Sequence, residues 1–204
     1  MLAFIMIRLY GTITSPYVRR VRIVAAELGL SCELLETASD AGQERLRERT
    51  PIWKVPAAEI DGQLVLDSHV ITELLLARSK SAALAPFALD DVAARNAVSV
   101  VDGALDALIN AFYLAKEGVT PDKVPYMKKQ HARAESALSW LDAQVQGTWL
   151  TATEQLGLPE IAVGTALAWM RFRDAYPIAR HARLMRVLEA LEQRPSFLST
   201  QPSG

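Results

Sequence analysis

One cysteine, Cys32, and three histidines, His69, His131 and His181, are all that 204 residues offer in thiol and imidazole. A single cysteine excludes an intramolecular disulfide framework and any CxxC redox or zinc motif. The histidines are widely separated in the chain and make no metal-ligand pattern, so no metal is expected. A dominant sign of charge is missing too. Lys and Arg number 22 against 23 Asp and Glu, a net −1, which argues against a nucleic-acid partner. No apolar run is long and uniform enough to read as a membrane span. The N-terminal Met1-Leu2-Ala3-Phe4-Ile5-Met6-Ile7 is apolar but short and is broken by Arg8. Without a basic leader or a clear cleavage site, it reads as a first buried strand. Repeats and low-complexity tracts are lacking as well. The expectation is a soluble cytoplasmic protein with no membrane partner.

What is present is ample apolar material: half the residues are hydrophobic, enough for one large domain or two small ones. The first eighty residues alternate between element types. Phe4 to Tyr10 is a β-run, and Pro16 then opens a helix whose apolar positions are Val18, Val21, Ile23, Val24 and Leu28. Gly29 ends that helix. Cys32 to Leu35 reads as a second strand, and Ser39 to Arg49 as an irregular helix. Val55 to Ile60 and Gln63 to Leu66 form a hairpin around Asp61-Gly62, a strong turn dipeptide. Ser68 can cap a helix through Ile71, Leu74 and Leu75. The order is βαβαββα, the layout of a thioredoxin-like domain over residues 1–78.

An alanine- and serine-rich stretch with Pro86, residues 79–90, reads as a linker. Beyond it, residues 91–204 carry only helical periodicity: Ala94 to Lys116, Lys123 to Val145, Glu160 to Asp174 and Arg183 to Gln193. An all-α helical bundle is expected there. The arginines Arg19, Arg20 and Arg22, crowded at one helix start, read as a solvated face.

Three short pieces carry chemistry. Ser15 directly precedes a helix, where unpaired N–H groups and the macrodipole favour negative charge. Its hydroxyl either caps the helix or donates to a thiolate, whose pKa the same field lowers. Val55-Pro56 opens a strand. A cis proline there would turn the Val55 N–H and C=O outwards to pair with an extended peptide. In Asp67-Ser68, the serine and helix-start N–H groups can hold a carboxylate while Asp67 pairs with an ammonium; the alternative is plain capping. Tyr10, Thr12 and Thr14 are rival hydroxyls to Ser15, with Tyr10 reading as a strand-end packing residue. Cys32 reads as a small hydrophobe in a sheet, with a catalytic thiol as the alternative.

In order and spacing these pieces resemble the glutathione S-transferase family. The run Leu9-Tyr10-Gly11-Thr12-Ile13-Thr14-Ser15-Pro16-Tyr17-Val18-Arg19-Arg20-Val21-Arg22 is similar to the opening of its serine-type bacterial and plant members. Lys54-Val55-Pro56 and Leu66-Asp67-Ser68 resemble their glutathione-binding half. Glu160-Ile161-Ala162-Val163-Gly164 through Trp169 to Arg173 resembles the core helix of their all-α domain. The resemblance implies a homodimeric transferase of the detoxifying kind, with glutathione as co-substrate and a small electrophile as the other. Ser15 would stabilise the thiolate, Val55 would pair with the cysteinyl unit, and Asp67 with Ser68 would anchor the γ-glutamyl group. Lys54 would reach a glutathione carboxylate or stay a solvated lysine. A co-substrate pocket between the domains is implied, with Tyr17, Phe112 and Tyr113 as wall candidates.

The chain departs from the family pattern at four positions. Asp67 stands where glutamate is usual, Trp53 where a small residue is usual, and Gly157 with Glu160 where a Ser/Thr and Asp box is usual. The departures at Trp53 and Asp67 keep a non-catalytic binding or adaptor protein open as an alternative; a glutathione-dependent reductase or peroxidase acting through Cys32 is a third reading.

Overall fold

The computed structural model describes residues 6–150 and 155–203. The part of the expected first strand before Met6 lies outside the described residues. The chain divides into two compact units, one running to Pro86 and taking in the tail from Glu192, the other Phe87–Leu191.

In the first unit, β1 (Ile7–Gly11), α1 (Pro16–Glu27), β2 (Cys32–Glu36), α2 (Asp40–Arg49), β3 (Ala57–Ile60), β4 (Gln63–Leu66) and α3 (Ser68–Arg78) follow the expected βαβαββα order. The sheet order is β2-β1-β3-β4, with β1 parallel to β2 and antiparallel to β3. Alternation along β1 separates two faces. Tyr10 packs with Leu46 of α2 and Ala57, flanked by Leu35, Val55 and Leu66. Ile7 and Leu9 point the other way, toward the face where α1 and α3 pack on each other. From α1 the residues Val18, Val21 and Val24 are buried, and from α3 Ile71 and Leu75. Each such burial contributes about 1.5–3 kcal/mol.

Two glycines let helices approach the sheet this closely. A Cβ on Gly11 would overlap the Val18 side chain of α1. On Gly42 it would stand 2.7 Å from the Glu36 carbonyl oxygen and the Thr37 Cα. The helix over Asp40–Arg49 is regular, because the Ser39 side chain caps it by accepting the Gly42 N–H at 3.2 Å.

The second unit holds α4 (Val92–Lys116), α5 (Pro125–Gln144), α6 (Leu158–Phe172), a 3-10 turn at Ile178–Arg180 and α7 (Ala182–Glu192). By length and composition α4 could cross a membrane, contrary to the sequence reading. Its apolar residues fall instead into one stripe, Ala94, Ala97, Val98, Val101, Leu105 and Leu108, which is buried as the helix packs on α5 and α6. Every residue of α6 from Leu158 to Met170 is buried. Its start keeps half a capping box. The buried Glu160 carboxylate accepts the Gly157 N–H at 3.0 Å, and glycine has no side chain to return the bond. Asp142 at the end of α5 caps α7 from a distance, accepting the Arg183 and Leu184 N–H groups at 2.9 and 3.0 Å.

Two further expectations differ from the structure, and these two differences are linked. The tail from Glu192 belongs with the first unit, not with the helical domain expected over 91–204. Arg194, just before the short α8 (Pro195–Leu198), grips both carboxylate oxygens of Glu27 at 2.9 and 2.7 Å. Arg19 and Arg20, read as a solvated face, are buried. Arg19 donates to the Phe197 carbonyl at 3.0 Å and the Thr200 hydroxyl at 3.3 Å, and Arg20 lies over the Tyr17 ring. A basic cluster looks solvated when its acceptors are a distant segment's carbonyl and hydroxyl.

Candidate functional site

Strand register brings the three sequence pieces to one end of the sheet. Tyr10 of β1 sits opposite Ala57 of β3, and Ala57 opposite Leu66 of β4. The chain therefore leaves β1 toward Ser15, enters β3 from Val55-Pro56, and leaves β4 into Asp67-Ser68, all at the same edge. Glu36 of β2 ends there too, opposite Gly11.

Ser15 is the N-cap of α1, extended at φ −77° and ψ 124°, with Pro16 in the first turn. Its Oγ accepts the Val18 N–H at 3.3 Å, which leaves the hydroxyl proton for a further acceptor. The first turn of α1 contains no acidic residue, so nothing in that turn offsets the positive end of the helix. The preceding loop is braced by a residue the sequence analysis did not single out. Glu36 accepts the Ile13 N–H at 3.2 Å through one oxygen, and the Thr37 and Ala38 N–H groups at 3.0 and 3.1 Å through the other. The only signal for it is a glutamate ending a strand before a Thr-Ala-Ser turn.

The Val55–Pro56 bond is cis. Among the described residues nothing hydrogen-bonds the Val55 N–H or carbonyl. Lys54, one residue earlier, is exposed and has no ion-pair partner among the described residues. Trp53 adopts φ +52° with its N–H on the Thr50 hydroxyl at 3.0 Å. That left-handed conformation costs a bulky L residue roughly 1–2 kcal/mol.

Asp67, not Ser68, is the N-cap of α3; its carboxylate accepts the His69 N–H at 2.8 Å. Both residues can cap. The backbone at Asp67, φ +74° and ψ 143°, turns the chain out of β4 and leaves Ser68 as the first helical residue. Ser68 is buried and its hydroxyl points back to Asp67 at 3.4 Å. An aspartate held at positive φ is an outlier of the kind that clusters at ligand clamps.

Of the rival groups, the Tyr10 hydroxyl is occupied and the Cys32 thiol is misplaced, while Thr12 and Thr14 stay in the loop before Ser15. Tyr10 is buried, and its phenol donates to Glu59 at 3.0 Å. Burial and then the Glu59 carboxylate push its pKa up. Glu59, a charge inside the apolar run Ala57-Ala58-Glu59-Ile60, also takes Arg8 at 3.1 Å. Cys32 pairs with Ile7, at the opposite end of β1 and β2 from Ser15. Burial pushes its thiol up to about 11, which keeps it protonated near neutral pH. Among the described residues no group of acidic, histidine and cysteine side chains could hold a metal ion.

Residues 9–82 match the family model described as glutathione S-transferase, N-terminal domain. A solved glutathione S-transferase of Methylobacillus flagellatus KT, with GSH bound, is 30% identical; the match covers 97% of this chain and 100% of that one, with a TM-score of 0.86. A glutathione S-transferase of Methylobacterium radiotolerans JCM 2831, in complex with glutathione sulfonate, is 29% identical over 98% of this chain and 96% of that one, TM-score 0.83. Among curated proteins, the uncharacterized GST-like protein YibF of Escherichia coli K12 is 26% identical over 96% of this chain and 98% of its own length. With relatedness at this level along its full span, the chain belongs to the glutathione S-transferase family.

Proposed function

We propose that this protein binds glutathione at the Ser15, Val55 and Asp67 end of the sheet and conjugates it to a small electrophile. The observation that carries this reading is the convergence of a helix-capping hydroxyl, an unpaired backbone edge at Val55 and the Asp67-Ser68 turn on one sheet edge. The γ-glutamyl ammonium pairs with Asp67, and its carboxylate takes the start of α3 with Ser68. The cysteinyl unit pairs with the Val55 backbone as an added strand segment. Lys54 serves the glycyl carboxylate. Ser15 donates to the sulfur, and the N-terminus of α1 lowers its pKa, so the thiolate attacks without a metal or a covalent enzyme intermediate. A homodimer in the cytoplasm completes the proposal.

The test is titration calorimetry of glutathione on wild type and Asp67→Ala side by side. Binding that weakens about tenfold or more in the variant supports the anchor. No binding to the wild type moves the reading to a non-catalytic adaptor on the same fold, the alternative that the departures from the family pattern at Trp53 and Asp67 keep open. A reductase working through Cys32 has the raised thiol pKa and the far-end position against it.

A further inference from the structure

We propose that Arg19 is a positioning residue for Ser15, and that the C-terminal strap Arg194–Thr200 is the splint it works through. The strap lies along α1 in the reverse direction and is fastened at both ends. At the C-terminal end of α1, Glu27 holds Arg194 in a two-oxygen grip and accepts the Ser196 hydroxyl. Eight residues earlier, about 12 Å along the helix axis, Arg19 reaches the Phe197 carbonyl and the Thr200 hydroxyl, with its guanidinium 5.2 Å from the Phe197 ring centre. The Phe197 carbonyl lies in the four-residue α8, too short to give its last carbonyls partners within the helix.

What links this grip to chemistry is the first turn of α1. The Arg19 N–H bonds the Ser15 carbonyl at 3.0 Å, and the Val18 N–H bonds the Ser15 hydroxyl. Gly11 lets Val18 press on the end of β1 from the sheet side. Arg19 and the strap hold the same turn from the other. A buried arginine, charged at any working pH, is a costly anchor unless its donors are met. Here a main-chain carbonyl and a hydroxyl meet two of them, so the first turn has little freedom to fray.

This inference rests on the reading of Ser15 as the thiolate's partner, and the test separates the two. Native-state hydrogen exchange is measured on Arg19→Ala, Thr200→Val and Glu27→Gln, with the pKa of the bound glutathione thiol followed by its thiolate absorbance. Arg19→Ala and Thr200→Val are expected to speed exchange at the Val18 amide by about tenfold. Glu27→Gln should act instead on the Leu28 and Gly29 amides and leave Val18 near wild type. In Arg19→Ala the bound-thiol pKa should rise by about half a unit or more while glutathione affinity stays within about threefold. Arg19→Lys, which keeps the charge but not the fork, should recover part of both changes. Val18 exchange that stays at the wild-type rate in Arg19→Ala and Thr200→Val overturns the proposal, as does faster exchange with an unmoved thiol pKa. A wild type that binds no glutathione sinks the functional reading alone, because exchange still decides whether Arg19 holds the turn.

Discussion

The two ends of the four-stranded sheet differ in how completely their charges and backbone groups are paired. At the end where β3 turns into β4, polar groups answer one another. Asp61 pairs with Arg78 at 3.2 Å, donates its N–H to the Met6 carbonyl while its carboxylate accepts the Met6 N–H, and sits in a tight Asp-Gly turn. Helix α1 also finishes at that end, where Glu27 meets Arg194. At the other end Val55 offers an N–H and a carbonyl to nothing among the described residues, and Asp67 and Lys54 carry charges with no ion-pair partner there. Both ends have the same material: carboxylates, cations and prolyl or glycyl turns. Glu36, Ser15 and Asp67 also find backbone partners within the chain; what separates the second, receptive end from the closed one is the unpaired Val55 backbone edge and the two charges left without a counter-charge.

The sharpest way to break that contrast is Ser15→Ala. Removing one donor from a developing or resident anion costs on the order of 100-fold in kcat, so conjugation should fall by about that much while calorimetric glutathione affinity changes little. Equal losses in both would remove Ser15 from its role. Asp61→Ala sharpens the contrast from the closed end: it should lower the melting temperature and leave glutathione affinity within about twofold, unlike Asp67→Ala at the receptive end.

A smaller effect lies in the pH dependence of stability. The Arg194 guanidinium beside Glu27 holds its carboxyl below the usual carboxylate range, against the opposing pull of burial. A folded pKa below the unfolded one means stability that is present above the unfolded value, about 4.3–4.5, and lost as pH falls through the folded pKa. Glu27→Gln should therefore cost about 1.5–3 kcal/mol at pH 7 and flatten the acid limb of melting temperature against pH. An unchanged acid limb would remove Glu27 from the account. Smallest of all is Cys32→Ser, expected to leave conjugation within about twofold because Cys32 lies at the end remote from Ser15.

Local signals carried the reading of the fold a long way. The Asp61-Gly62 hairpin, Pro16 at the start of α1 and the stripe along α4 each state their structure within one continuous segment, and the element order follows from them. The sheet edge that gathers Ser15, Val55 and Asp67 was legible only as a resemblance, since register is a property of strand pairs. Serine and aspartate cap equally well, so the pair Asp67-Ser68 does not itself say which one caps α3; the positive φ of Asp67 decides between them and leaves no mark in composition. The tail was illegible for a different reason. Glu27 and Arg194 are 167 residues apart, and no periodicity names a partner at that distance. Arg19 and Arg20 looked solvated on the same account, their surroundings being set by chain that returns at the very end.

Trp53 has a use that its backbone angle does not suggest. Its indole is 63% exposed, lies 5.8 Å from the Arg47 guanidinium and sits two residues before the open Val55 edge, whereas Trp169 is buried in α6. An indole in water changes its emission colour when an adjacent ligand dries or re-orients its surroundings, and the other three tryptophans, Trp140 part-exposed among them, supply the background against which that change is read. With glutathione at the proposed Val55 site, Trp53 becomes a fluorescent gauge that follows the arrival of the peptide in real time without any label.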